Sequence, residues 1–203
     1  MARAASLDQV LRTRFKVLPF EGEWKDAIGC PELTGSWIIW GNSGNGKTRF
    51  ALQLCKYLCQ FGRVAYDSLE EGVSVSLVKA IKETHMMEVR RKFVVLDKEP
   101  IDQLVERLER PKSPDIVCVD SLQYTGMSYE QYKALKERFP KKLFIWISHA
   151  DGTLPEGRVA KKVRFDSNVK VFVQAYRAEP VSRYGGGKPY IIWEEGYRKN
   201  FEL

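Results

Sequence analysis

The stretch Gly41-Asn42-Ser43-Gly44-Asn45-Gly46-Lys47-Thr48 constrains this chain more than any other feature, because it is entered from the apolar run Trp37-Ile38-Ile39-Trp40 and left through residues with helical spacing. It fits G-x-x-x-x-G-K-[ST], a pattern that works on a turn from strand to helix. There, glycines let successive backbone N–H groups curl around an anion, and the helix N-terminus adds its positive dipole end. Leu54 and Leu58, one helical turn apart, mark the helix that follows. Such a loop predicts a bound nucleoside triphosphate, read here as ATP. Residues 41–48 and the adjoining Arg49 would line the phosphates, Lys47 would reach the β- and γ-phosphates, and the Thr48 hydroxyl would ligate Mg2+.

Downstream, short apolar runs alternate with helical-period segments. Residues 64–66, 93–96, 116–119 and 143–147 read as buried strands, each bounded by charge, Gly or Pro. Ile101, Leu104, Val105 and Leu108 form an amphipathic helical stripe, and a further helix is expected over residues 129–138. The pattern predicts an α/β chain with a mostly parallel central sheet flanked by helices. After Pro155 a basic stretch leads into residues 169–175. Past a Gly185-Gly186-Gly187 turn come residues 190–193, so a C-terminal β-hairpin is expected. With 203 residues, 44% of them hydrophobic, the chain can bury one sizeable core. Residues 1–35 read as a lead-in packed on that core and residues 36–203 as the core domain.

Two carboxylate positions complete the chemistry. Asp120 ends the run Ile116-Val117-Cys118-Val119 and so projects from the carboxyl edge of a buried strand, where it would hold Mg2+ opposite Thr48. Glu70 and Glu71 follow residues 64–66 at the same edge, and a carboxylate there can polarise water for attack on the γ-phosphate. Glu70 is the candidate base; Glu71 acts with it or is merely solvated, and helix capping is the alternative for either.

Composition excludes some classes. No run of about eighteen apolar residues could span a bilayer, and the first fifteen residues lack the apolar segment of a signal peptide, so a cytoplasmic protein is expected. Four scattered cysteines make no disulfide framework: Cys55 and Cys59 share a helical face and Cys118 lies in an apolar strand, as reduced, buried thiols do. A net charge of +7 would suit a polyanionic partner, a weak hint by itself.

Together these motifs resemble the RecA-like P-loop NTPases, most closely the bacterial RadA branch of DNA-repair and recombination ATPases, over residues 36–193. Asp120-Ser121-Leu122-Gln123 is similar to that branch's Asp-Ser-Ile-Gln, and Glu70-Glu71 falls where the family carries its catalytic acid. The resemblance implies that His149, after Ile147-Ser148, senses the γ-phosphate and couples it to a DNA-binding loop. Gly152-x-Leu154-x-x-Gly157 with Asp166 resembles the loop leading into the next strand, though with shorter spacing. Val181-Ser182-Arg183-Tyr184-Gly185 is similar to the family's Lys-Asn-Arg-Phe-Gly, which makes Arg183 a candidate arginine finger acting on a neighbouring subunit, with Val181 in place of the lysine. A trans-acting finger implies a homo-oligomer, a hexameric ring or a filament. These 203 residues show neither the family's four-cysteine zinc element nor its peptidase-like domain and are expected to be the ATPase core alone; such short cores resemble phage-encoded members, so a bacterial or phage origin is expected.

Arg158, Lys161, Lys162 and Arg164, with Phe165 adjacent, are expected in a loop after His149 that contacts single-stranded DNA, cations tracking phosphates and the aromatic ring stacking on bases. A solvated basic face is the alternative. Arg90-Arg91-Lys92 and Lys141-Lys142 read as solvated strand leaders. The expected activity is DNA-stimulated ATP hydrolysis in recombination, repair or replication; the alternative is a regulatory ATPase of the same superfamily acting on a protein. A small-molecule kinase would need an arginine-rich lid, and a GTPase an Asn-Lys-x-Asp motif that Leu96-Asp97-Lys98-Glu99 does not supply.

Overall fold

A computed structural model describes residues 4–201. The chain begins with α1 (Leu7–Arg12) and α2 (Gly22–Ile28), then enters β1 (Gly35–Trp40) and α3 (Lys47–Leu58). Next come β2 (Val64–Ser68), α4 (Val75–Glu83), β3 (Phe93–Asp97), α5 (Ile101–Glu109), β4 (Ile116–Asp120) and α6 (Tyr129–Arg138). After β5 (Leu143–Ser148), the short pair β6 (Ala150–Asp151) and β7 (Leu154–Pro155) leads to α7 (Arg158–Asp166). The chain closes with β8 (Val169–Gln174), β9 (Arg177–Ser182), β10 (Tyr190–Ile191) and α8 (Glu194–Phe201).

Eight strands form one sheet in the order β10-β9-β8-β1-β5-β4-β2-β3. From β8 to β3 all pairings are parallel, while β9 and β10 add antiparallel. The central strands are apolar without interruption because successive side chains feed two cores. Trp37, Ile39, Tyr66, Cys118 and Ile145 pack with α2, α3 and α4 on one face. Ile38, Trp40, Ala65, Val119 and Trp146 pack with α5, α6 and α7 on the other. The α/β class and its mostly parallel, helix-flanked sheet match the expectation, and the helix over residues 129–138 has the expected bounds. Strands β2 and β4 run on into polar residues, to Ser68 and Asp120.

The C-terminal hairpin is corrected. It is β8–β9, reversing at Ala175-Tyr176, whose φ angles of 48° and 58° are both left-handed. Neither residue is the Asn or Gly that normally marks such a turn. Tertiary hydrogen bonds impose it: the Ala175 amide donates to Asn45 Oδ1 (2.7 Å) and the Tyr176 amide to the Asn45 carbonyl (3.1 Å). The triple glycine instead lies against the end of α2, where a Cβ on Gly186 would come within 2.7 Å of the Ala27 backbone.

Within residues 1–35, Leu18, Phe20, Ala27 and Ile28 are in the core, whereas α1, with a Ser6–Gln9 capping box at its N-terminus, buries none of its residues. The expected loop over residues 158–164 is also corrected, since these residues form α7. Its first turn follows Gly157, and Ala160 and Val163 face the core.

Candidate functional site

After β1 the chain turns to α3 on one face; after the adjacent β5 it passes through β6 and β7 to α7 on the other. That divergence opens a crevice at the carboxyl ends of the parallel strands, where ligands of open α/β sheets bind. A cleft of about 530 Å³ lies there, and its lining includes Gly44, Lys47, Thr48, Glu70, Asp120 and His149.

The loop of residues 41–48 joins β1 to α3 as its pattern requires. Two of its glycines are fixed by close approach. A Cβ on Gly41 would lie 2.1 Å from the Val173 carbonyl oxygen, and Gly46, at φ 97°, would meet the Tyr176 ring at 2.8 Å. Ser43 and Thr48 reach the cleft, and Asn42 offers its carbonyl to Lys47 Nζ at 3.0 Å. The Asn45 side-chain amide donates to the Ser43 carbonyl (3.1 Å) while its carbonyl groups hold the β8–β9 turn.

Carboxylates face Lys47 across the cleft. Asp120 accepts a hydrogen bond from the hydroxyl of Tyr66, in the neighbouring strand β2. Burial raises the Asp120 pKa above the usual carboxylate range, helped by the negative charge of Glu70 and opposed by Tyr66 and Lys47. Lys47 is held below the ordinary lysine value by burial, with Asp120 and Glu70 pulling the other way. Asp120 and Glu70 both bear on Lys47, and a buried carboxylate with raised proton affinity opposite a threonine hydroxyl suits a hard dication. Among the described residues no group of three or more His, Cys, Asp and Glu side chains could hold a metal alone. Mg2+ would fit here through Thr48, Asp120 and phosphate oxygens, since it is ordinarily held by one or two carboxylates together with substrate phosphates.

Glu70 and His149 meet. His149 Nε2 lies 2.9 Å from Glu70 Oε2, and the Glu70 amide donates to the Asp120 carbonyl at 3.0 Å. Glu71 does not join them: it accepts from Ser76 and Ser74, which lower its pKa, beside the start of α4. A chain of bonds runs on from His149. Its amide donates to Gln123 Oε1 (3.4 Å), and Gln123 Nε2 donates to Ser148 Oγ (2.8 Å) and the Glu156 carbonyl (3.0 Å), one residue before Gly157 caps α7.

The remaining predicted residues lie elsewhere. Arg183 follows β9 at the amino edge of the parallel strands: Ser182 pairs with Val169, and Val169 with Trp37, at the far end of β1 from the glycine loop. On α7, Arg158 is exposed, Lys161 pairs with Asp151 at 3.5 Å, Lys162 lies over the Tyr129 ring and Arg164 over the Trp40 ring.

Sequence reasoning missed Tyr176 and Trp193, which close the cleft beyond Gly46 in a T-shaped pair at 5.1 Å. The Arg49 guanidinium stacks over Trp193 at 5.3 Å and pairs with Glu83 at 3.4 Å. No local pattern announces these rings; they arrive on the turn and strand end that the misplaced hairpin obscured. No protein-family model matches this chain, and no curated protein matches it.

Proposed function

We propose that the chain is a RecA-like P-loop ATPase, nearest the RadA branch in its motifs, that hydrolyses ATP and acts on single-stranded DNA. The observation that carries this reading is the meeting of Lys47, Thr48, Asp120 and the Glu70–His149 pair in one cleft at the carboxyl edge of the sheet. In this reading the loop amides and Lys47 take the phosphates, and Thr48 and Asp120 hold Mg2+, which neutralises charge between β- and γ-phosphates. Glu70 accepts a proton from the attacking water, and His149 orients Glu70 through their shared hydrogen bond. The base rests against Tyr176 and Trp193, the aromatic end of the same cleft.

The DNA part rests on α7. Arg158, Lys162 and Phe165 share its exposed side, and Phe165 is 73% exposed, so a cation row and a stacking ring lie together. The Gln123 bonds supply a physical link from His149 to the beginning of that helix. Arg164 fits this role less well than its neighbours, because it is drawn onto Trp40.

The test is steady-state ATP hydrolysis with and without single-stranded DNA at two salt concentrations, with Lys47→Ala as the blank. Stimulation that falls with salt and is lost in the Arg158→Ala, Lys161→Ala, Lys162→Ala triple variant is expected, each lost phosphate contact lowering the salt slope by about 0.7. Hydrolysis indifferent to DNA would contradict the DNA part and favour a protein target; hydrolysis that survives in the blank would contradict the site.

A further inference from the structure

Tyr66 is fully buried in β2, in the same core cluster as Cys55, Cys118 and Phe93, with the Phe93 ring centre 6.4 Å from its own. A phenylalanine would fill nearly the same space, and a buried hydroxyl costs free energy unless it is hydrogen-bonded. The partner that offsets this cost is the Asp120 carboxylate, whose Oδ2 accepts from the Tyr66 hydroxyl at 2.5 Å. Such charge-assisted bonds are short and strong compared with neutral ones.

Sheet register makes the contact. Tyr66 lies level with Cys118, and Ser68 with Asp120, so Tyr66 and Asp120 share a face and stand two residues apart along the strands. Two residues of strand span about 6.6 Å, close to the reach of a tyrosine hydroxyl from its own Cα. The side chain therefore runs from the core up to the carboxyl edge, where Asp120 ends β4 and lines the cleft with Lys47 and Thr48.

Among the described residues the Tyr66 hydroxyl is the one hydrogen-bond donor to the Asp120 carboxylate. Asp120 keeps part of its surface open. Oδ2 is thus committed to a donor whose ring cannot move without disturbing the core, and Oδ1 is left for the cleft. Carboxylates that ligate metals are ordinarily oriented by an outer partner in this way.

We propose that Tyr66 is a positioning residue: its hydroxyl, anchored by the buried ring, fixes the orientation in which Asp120 presents Oδ1 to the divalent cation that accompanies the triphosphate. The inference deepens the ATPase reading and rests on it. Lys47 and the glycine loop reach the phosphates without Tyr66, so the hydroxyl matters to the metal-dependent part of nucleotide binding and not to the rest. In sequence Tyr66 is one more residue of an apolar strand; only the register of β2 against β4 brings it to Asp120.

Calorimetric titration with ATP, at several Mg2+ concentrations and without Mg2+, compares the parent with Tyr66→Phe. Without Mg2+ the two should bind ATP equally. The Mg2+ concentration that half-saturates the gain in ATP affinity should rise on the order of 10- to 100-fold in the variant, the usual effect of removing the partner of a metal ligand. Hydrolysis should show the same shift, with saturating Mg2+ restoring much of the rate. Equal Mg2+ dependence in parent and variant overturns the proposal. Equal weakening with and without Mg2+ makes the hydroxyl a packing element and overturns it too. Asp120→Ala removes the acceptor, so adding Tyr66→Phe to it should change the Mg2+ dependence no further; a further loss overturns the route through Asp120. If ATP binding by the parent is itself blind to Mg2+, the ATPase reading of the cleft has failed, an outcome distinct from a responsive parent beside an equally responsive variant.

Discussion

Asn45 sits at the meeting of the glycine loop and the β8–β9 turn, holding the amides of Ala175 and Tyr176 while its own amide braces Ser43. Asn45→Ala should leave the Ala175 amide without its partner, lowering stability by about 1–2 kcal/mol. It should also weaken ATP binding, checked by denaturant unfolding and titration on the same preparation. Asp67 offers a pH test. It is fully buried, Oδ1 accepts the Glu99 amide at 3.1 Å, and Oδ2 has no partner. Burial pushes its pKa up from 3.8 to about 7. Between those values the folded chain keeps a proton that the unfolded chain releases, so Asp67 costs stability progressively as pH rises from 3.8 toward 7 and no further above it. Asp67→Asn should remove that slope and be the more stable protein at pH 8, as thermal melts across the range would show. Lys47, Thr48, Asp120 and Glu70 were readable from sequence because each follows a strand or sits in a contiguous motif. Tyr176 and Trp193 were not, because only tertiary contacts bring their rings to the cleft.

The central strands were readable as elements because burial on both faces leaves uninterrupted apolar runs bounded by polar residues. The errors fall where that signal fails. Strand β9 contains Pro180 and alternates buried with exposed residues, and its turn lacks Asn and Gly, so the hairpin was displaced to the glycines after it. Helix α7 buries only Ala160 and Val163, and its basic residues disguise it as a loop. Helix α1 contributes nothing to the core: Leu7 and Leu11 are 73% and 74% exposed. Leu11→Ser should therefore leave the unfolding free energy within about 0.5 kcal/mol of the parent. Leu54→Ala, in the fully buried row of α3, should cost about 2–5 kcal/mol. Denaturant titration of the two variants side by side checks both. Cys55, Cys59 and Cys118 are buried, as expected, and burial pushes the Cys59 thiol up to about 12.

At the scale of the whole molecule, the sheet order decides what the chain can do. Placing β1 beside β5, with their connections leaving to opposite faces, opens the crevice, and the parallel register brings Asp120 and Ser68 level with the end of β5. The same register sends Arg183 to the other edge, away from this chain's own cleft. Among the described residues no helix is long and apolar enough to cross a membrane. Central to the proposed function is that the cleft between β1 and β5 holds Mg2+ and ATP through Lys47, Thr48 and Asp120. Calorimetric titration of the protein with ATP, with and without Mg2+, tests it most directly. One site per chain is predicted, weakened without Mg2+ or in Asp120→Asn and abolished in Lys47→Ala; equal binding by the parent and Lys47→Ala would contradict the account.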